Sequence, residues 1–555
     1  MLPLRRVGVV SIYFGFLASF LGCSSQAFRK PNSEPLQVSL QPVGMDEKTA
    51  NRFLELMMER PEVRSRLEGS RYRLLRSEFD GGSRAEGVSR GTSWVEVEVY
   101  DYTHDRLITV SGDPHGRSTL KIRESADQPP PTQDEIDEAI SVLKADSYFG
   151  SKQKDWLPSP AMPGVVSIDG TGMSRGLGRH QRLITMGLMP NRAGFQHEIV
   201  GVDLTKGSVI RFPAGAPPTA MAAPGLCAPV SAHQPTSNRY LPGQTVLTVK
   251  RGDTVVWKMD VLRPSASSGA RGSGIDLRNI EYLGKKVFSQ LHVPILNVRY
   301  GQDVCGPFRD WQFMEGAFNA QGQSMADGFL MADSKPMTIL DDGKDTGNFR
   351  GVAVFTEGNE TVLTSEMESG WYRYKNEYRF GEDGTIRPSW GFGAVQASCI
   401  CNAHLHHGFW RMDFELGDGK HNQIQYFDGR EWKIVNRESK FFHDSPKKLW
   451  RVIDVESGRG YEITPGQQDG TALNDFYSSG DIWALKFNDN EFDDHGTDQN
   501  SRTLIDGFLN GENITQSDVV LWYGGHRMHS HDGFKINDLN NPSIGPVLKP
   551  VQWEK

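Results

Sequence analysis

The sequence predicts a mainly β protein, with an α+β part on its N-terminal side and a large β domain after it. Three observations carry that reading. Short β-branched and aromatic runs separated by turn residues fill most of the chain, and its 12 Trp and 59 Gly suit pleated, tightly turned strands. Helical spacing of apolar residues occurs only twice, near residues 46–58 and 132–143. At 555 residues the chain is too long for one hydrophobic core and calls for two to four domains.

The N-terminus reads as a targeting segment over residues 1–23. Arg5 and Arg6 precede an apolar run from Val7 to Leu21, too short to span a bilayer, followed by Gly22, Cys23 and Ser24. Phe20-Leu-Gly-Cys23 is similar to a bacterial lipoprotein box, which implies lipid attachment at Cys23 and an exported, cell-envelope location. Plain secretion with cleavage near Ala27 is the other reading. Residues 24–45, with Pro31, Pro35 and Pro42, read as a tether.

Two small α+β units follow, at 46–125 and 126–211. The first opens with the helix pattern that ends near Pro61, then has a strictly alternating strand over 94–99 that turns at residues 103–105 into 106–110. The second opens with a capping box from Thr132 to Glu135, which marks a helix start, and continues with strand candidates at 164–168, 180–185, 197–202 and 208–211. Residues 212–264 contain a Pro- and Gly-rich connection with strands, and a Ser- and Gly-rich stretch at 265–274 reads as flexible. The main boundary is therefore drawn near 265, with one large β domain to residue 555.

The chemistry-bearing residues concentrate in that domain. On a strand, His404 and His406 point the same way and can bind one metal ion from one face. A distant run from Asp518 to Asp532 adds His526, His529 and His531, any of which can supply a third imidazole. The His-x-His spacing alone also fits cupins, zinc hydrolases and ordinary polar strands. A zinc hydrolase lacks support, since no carboxylate sits beside the pair as a water-activating base. The net charge of −8 leaves no basic footprint for nucleic acid. Cys227, Cys305, Cys399 and Cys401 allow disulfides after export, but their pairing is not readable from sequence.

Taken in order, these motifs resemble the copper-containing, topaquinone-dependent amine oxidases. Residues 275–288, then Val298 and the pair Tyr300-Gly301, are similar to the family's first catalytic strands. Gly370-Trp-Tyr372-Arg-Tyr374, followed by Asp383-Gly-Thr-Ile386, resembles the Asn-Tyr-Asp/Glu-Tyr motif and its hairpin. His404, His406, Arg411 and Asp413 match the His-x-His strand, and His529, seven residues after Trp522, matches the third copper ligand. The likeness covers about 265–555 and, more loosely, the two α+β units.

The resemblance implies a large antiparallel β-sandwich, copper on His404, His406 and His529, and a topaquinone formed from Tyr372, with Tyr300 hydrogen-bonded to it. It implies oxidation of a primary amine by oxygen to aldehyde, ammonia and hydrogen peroxide, in a homodimer. It also implies a peripheral calcium at Asp413, Glu415 and Asp518, where Glu415 replaces the usual Asp. Oxygen ligands suit such a hard cation.

The chain departs from the pattern at the reacting centre. Met314 stands where the family carries its proton-abstracting Asp, and Met takes no proton. Glu315 can substitute if a bulge turns it inward, and Asp310 is a further carboxylate in the same run. Trp371 and Arg373 flank Tyr372 in place of Asn and an acid. Two functional expectations follow: an amine oxidase with Glu315 as base, or a catalytically degenerate, copper-binding cell-envelope protein of the same fold.

Overall fold

A computed structural model describes residues 34–80, 94–126, 128–129, 131–154, 156–160, 182–190, 198–211, 241–269, 271–300, 307–395, 403–444, 449–472, 479–494, 503–529 and 543–553. Contacts divide the chain into a short leading unit, Met1–Pro35, and a compact unit, Leu36–Lys555, which holds every element below. The expected targeting segment with Cys23, and Cys227, Cys305, Cys399, Cys401 and His531, lie outside the described residues.

Two small units precede the large domain. In the first, Asp46 caps the helix Glu47–Glu59, its carboxylate accepting from the Thr49 amide. Four antiparallel strands follow, Tyr72–Asp80, Trp94–Asp101, Arg106–Gly112 and Lys121–Ser125. Alternation puts Val95, Val97 and Val99 against Met57 and Val63 in a core. The second unit has the helix Gln133–Ala145, with the Thr132/Glu135 capping box formed, and the sheet Trp156–Pro160, Leu183–Pro190, Glu198–Asp203, Ser208–Arg211. The strand candidate at 164–168 lies outside the described residues. The two units share a core, since Tyr100, Tyr102 and Leu107 pack with Ile136, Ala139 and Met186. Glu135 joins them through a buried pair with Arg182 and by accepting from the Tyr102 hydroxyl at 2.6 Å.

The large domain is two sheets face to face. The first runs, in spatial order, Leu36–Val43, Gln244–Arg251, Thr254–Leu262, Asp276–Tyr282, Lys285–Tyr300, His404–Phe414, Val519–His529, Ile482–Lys486, Ser439–Phe441, with Pro307–Arg309 beside Lys285–Tyr300. The second includes Val352–Glu357, Glu360–Ser369, Tyr372–Gly381 and Ile386–Ala394 as neighbours, then the strands around Trp450–Asp454 and Gly460–Thr464. Among the described pairings only Phe329–Ala332 with Val352–Glu357 is parallel. Their facing side chains form the main core: Trp410, Met412 and Phe414 from the first sheet meet Tyr374, Phe392 and Tyr461 from the second.

Two boundaries differ from the sequence reading. Part of the expected tether, Leu36–Val43, is an edge strand paired along eight residues with Gln244–Arg251. The Ser- and Gly-rich stretch near 265 is packed. Ser265 and Ser267 are buried, and a Cβ at Gly274 would lie 2.8 Å from Asn376 Oδ1. Small residues there permit close backbone approach, which has the same composition as a flexible linker.

Candidate metal and cofactor site

The strand His404–Phe414 sits at the middle of the first sheet, between Lys285–Tyr300 and Val519–His529. Its pleat sorts the residues by parity. Trp410, Met412 and Phe414 face the main core, while Phe409 joins Trp483 and Trp522 in a separate cluster on the outer face. His404 and His406 share the inward parity and are buried, with ring centroids 4.9 Å apart. Register sets His404 opposite Tyr300 on one side and opposite His529 on the other. Only the backbones of Tyr300 and His529 are described.

The facing sheet supplies Tyr372. The hairpin Glu360–Ser369/Tyr372–Gly381 turns on Gly370 and Trp371, with Gly370 at φ +57°, a conformation that favours glycine. Tyr372 is therefore the first residue after the turn. Its ring lies edge-on to His406 at 4.8 Å between centroids and 6.0 Å from that of His404. Phe392 stacks on the other side of His406 at 4.2 Å, and Tyr374 stacks on Tyr372 at 5.4 Å. Tyrosine and imidazoles thus meet in an apolar, aromatic chamber between the sheets.

This donor set fits copper. Two imidazoles from one strand face, a third at the paired position of the next strand, and an adjacent phenol are nitrogen and oxygen donors suited to a redox metal. Among the described side chains no group of three His, Cys, Asp or Glu is set to hold a metal ion. The set needs His529, whose place is given by register.

The flanking substitutions have partners that the sequence did not reveal. Arg373 points away from Tyr372 and is buried against Asp345 at 2.8 and 3.1 Å, with Glu368 at 3.3 Å. Trp371 is buried, its ring 6.4 Å from that of Tyr372.

Glu315, the expected base, is tied to Arg263 and Ser265. Arg263 Nε donates to its Oε1 at 2.8 Å, Arg263 also donates to Oε2 at 2.5 Å, and Ser265 donates to Oε1 from both amide and hydroxyl. Both carboxylate oxygens are thus taken up by a buried guanidinium and a serine. Met314 is fully buried. Asp310, also fully buried, accepts a short hydrogen bond from the Tyr374 hydroxyl, one ring away from Tyr372.

The calcium expected at Asp413, Glu415 and Asp518 finds no support. Lys286 Nζ lies 2.9 Å from Glu415 Oε1, Ser289 donates to Oε2, and Arg411 meets Asp413 at 3.3 Å. The chain's own cations already answer these two carboxylates, and a metal would have to displace them. The Asp518 carbonyl accepts from the Phe487 amide.

The surplus histidines separate by face. His407 pairs with His526 in register on the outer face, and their Nδ1 atoms are 2.9 Å apart. His526 Nε2 is 2.8 Å from Asp481 Oδ1. One of the two Nδ1 atoms donates to the other. Burial, then the neighbouring His526, hold His407 well below its ordinary pKa. The unshifted register rules out His526 as the third inward ligand. Sequence reasoning missed Phe392 and the Asp310–Tyr374 bond, which join strands far apart in the chain. No local spacing signals such contacts.

No protein-family model and no curated protein matches the sequence. Solved structures do match in fold. A copper-containing benzylamine oxidase from Hansenula polymorpha aligns with 93% of this chain and 98% of its own, at TM-score 0.61 and 14% identity. An Aspergillus nidulans amine oxidase aligns at TM-score 0.56 and 13% identity, covering 94% of this chain and 91% of its own. Pichia pastoris lysyl oxidase aligns at 0.52 and 11%, covering 92% and 90%. With two sheets that bring Tyr372 against a histidine pair, and near full-length alignment to these proteins, the chain has the fold of the copper-containing amine oxidases.

Proposed function

We propose that the protein is a copper- and quinone-dependent primary amine oxidase. The observation that carries this reading is the Tyr372 ring, delivered by one sheet, lying 4.8 Å from the His406 ring of the other. His404, His406 and His529 would hold copper, and Tyr372 would be the precursor of the quinone. Together they would supply the redox chemistry by which amine, oxygen and water become aldehyde, ammonia and hydrogen peroxide.

The chain's own residues prepare the chamber. Phe392 and Tyr374 fix the planes of His406 and Tyr372 by stacking, and the apolar walls exclude water from a reactive centre. Arg373, tied to Asp345 and Glu368, anchors the start of the Tyr372 strand from behind. Export, lipid attachment at Cys23 and a homodimer complete the proposal and rest on the sequence alone.

Apoprotein given copper under air is expected to develop a visible band that phenylhydrazine shifts, and Tyr372→Phe is expected to lack it. A colourless wild type with full copper content would overturn the oxidase reading. It would favour a degenerate copper-binding protein, to which the capture of Glu315 by Arg263 and the presence of Met314 both lean.

A further inference from the structure

We propose that a basic cleft at the far end of the sandwich binds a small, soluble phosphomonoester. The cleft holds about 180 Å³ and lies where ends of the two sheets meet. Lys285 and Lys286 open the strand Lys285–Tyr300. Leu416 and Gly417 follow the strand His404–Phe414 and stay beside the lysines, since the Glu415 amide donates to the Val287 carbonyl at 2.9 Å. From the second sheet come Arg459, just before the strand Gly460–Thr464, and Trp553. His404 stands at the other end of its strand, about 33 Å away at roughly 3.3 Å per residue, so the cleft is separate from the histidine chamber.

Positive charge in the cleft exceeds negative. Lys286 is answered by Glu415, at 2.9 Å. Among the described residues, neither Lys285 nor Arg459 has a carboxylate within ion-pair distance. Asp454 comes near, since a Cβ at Gly417 would lie 3.1 Å from its carboxyl group, but it is buried and accepts from the amide and hydroxyl of Ser457. On a chain of net charge −8, two unanswered cations around one concavity form a local field that attracts an anion.

Shape and charge together select the anion. The Trp553 indole donates to the Gly460 carbonyl at 2.9 Å, and its ring is braced by Tyr282 at 5.3 Å and Tyr461 at 5.8 Å. The Arg459 guanidinium carbon lies 5.8 Å from the centre of that ring. A charged fork and a fixed flat wall thus stand side by side, and Leu416 adds apolar surface. The volume is that of about six waters at roughly 30 Å³ each, room for an oxyanion carrying one small ring but not for a folded chain. A phosphomonoester is a dianion above its second pKa of about 6, which matches the two unanswered cations, and guanidinium and ammonium groups both bind phosphate oxygens. A carboxylate would leave one cation unmatched.

The test titrates the purified full chain with phenyl phosphate, inorganic phosphate and benzoate at low salt, followed by calorimetry and tryptophan fluorescence. Phenyl phosphate is expected to saturate, to bind more tightly than the other two, and to weaken with added salt and as pH falls through about 6. Arg459→Gln should lower its affinity about 10–100-fold, the usual loss of a charge-assisted hydrogen bond, and Lys285→Gln about 2–5-fold. Trp553→Leu should bring phenyl phosphate down toward inorganic phosphate. Glu415→Gln, which removes the competing carboxylate, should tighten binding, and Lys121→Gln, an exposed lysine of the first small sheet, should change nothing. Heat that does not saturate by about 10 mM, benzoate binding equal to that of phenyl phosphate, or wild-type affinity in both Arg459→Gln and Lys285→Gln would overturn the proposal. Vesicles containing phosphatidic acid form the last arm. Binding to them without binding of phenyl phosphate would assign the phosphate to a lipid surface and overturn the soluble ligand. No readout here involves copper or a quinone, so failure of this site and failure of the oxidase reading are distinguishable.

Discussion

The two faces of the His404–Phe414 strand set the same side chain in different surroundings. Inward, His406 lies between Phe392 and the edge of Tyr372, and His404 is its neighbour at 4.9 Å. Outward, His407 shares a hydrogen bond with His526, which Asp481 holds in turn. The first pair sits beside a phenol. The second spends its donors on a structural chain. The strand facing it divides likewise, with Tyr372 and Tyr374 toward the chamber and Arg373 and Lys375 in a buried ionic layer with Glu368, Asp345, Asp341 and Glu377. One-residue alternation thus separates the proposed redox site from structural charge.

That contrast breaks first at the inward face. His406→Ala is expected to lower copper affinity by more than the roughly 10–100-fold that loss of an outer hydrogen-bonding partner costs, measured by metal content after dialysis. Retained copper in this variant would place the metal elsewhere.

The ionic layer offers the next largest effect. Burial, partly offset by the Ile339 amide and Arg373, pushes the Glu366 carboxyl from an ordinary 4.5 up to about 8. The folded chain therefore holds this proton more tightly than the unfolded one. The stabilisation is full below pH 4.5 and is lost as pH rises through about 8. Glu366→Gln, a mimic of the neutral acid, should match wild type near pH 4.5. It should be more stable by on the order of 3–5 kcal/mol above pH 8, as denaturant midpoints at the two pH values would show. A pH-independent difference would mean that Glu366 is ionised throughout.

The outward histidines should yield a stability change without a copper change. His407→Leu leaves His526 Nδ1 buried without its hydrogen-bond partner and is expected to cost about 1–3 kcal/mol, with copper stoichiometry intact. The double variant with His526→Leu should cost less than the sum of the single changes, because it removes both halves of one hydrogen bond. Loss of copper in His407→Leu would erase the distinction between the faces. The smallest effect is expected from calcium. With Lys286 and Arg411 already on Glu415 and Asp413, excess calcium should leave the melting temperature unchanged.

Local pattern alone determined much of this protein. Alternation places His404 with His406 and apart from His407, the Thr132–Glu135 box starts its helix, and Asp383-Gly384 closes the hairpin after Tyr372. These features depend on neighbours within a few residues, where pleat and turn chemistry leave little choice. Tertiary structure decided how each carboxylate of the 310–316 run is held. Glu315 and Asp310 are two carboxylates of one short run, yet Arg263, 52 residues away, takes one and Tyr374, 64 residues away, meets the other. It decided equally that the Ser- and Gly-rich stretch near 265 packs as a buried turn, and that Lys286 stands where a metal was expected. Charge pairing and close packing depend on which distant strands meet, and that information is spread over two sheets rather than written in any one stretch.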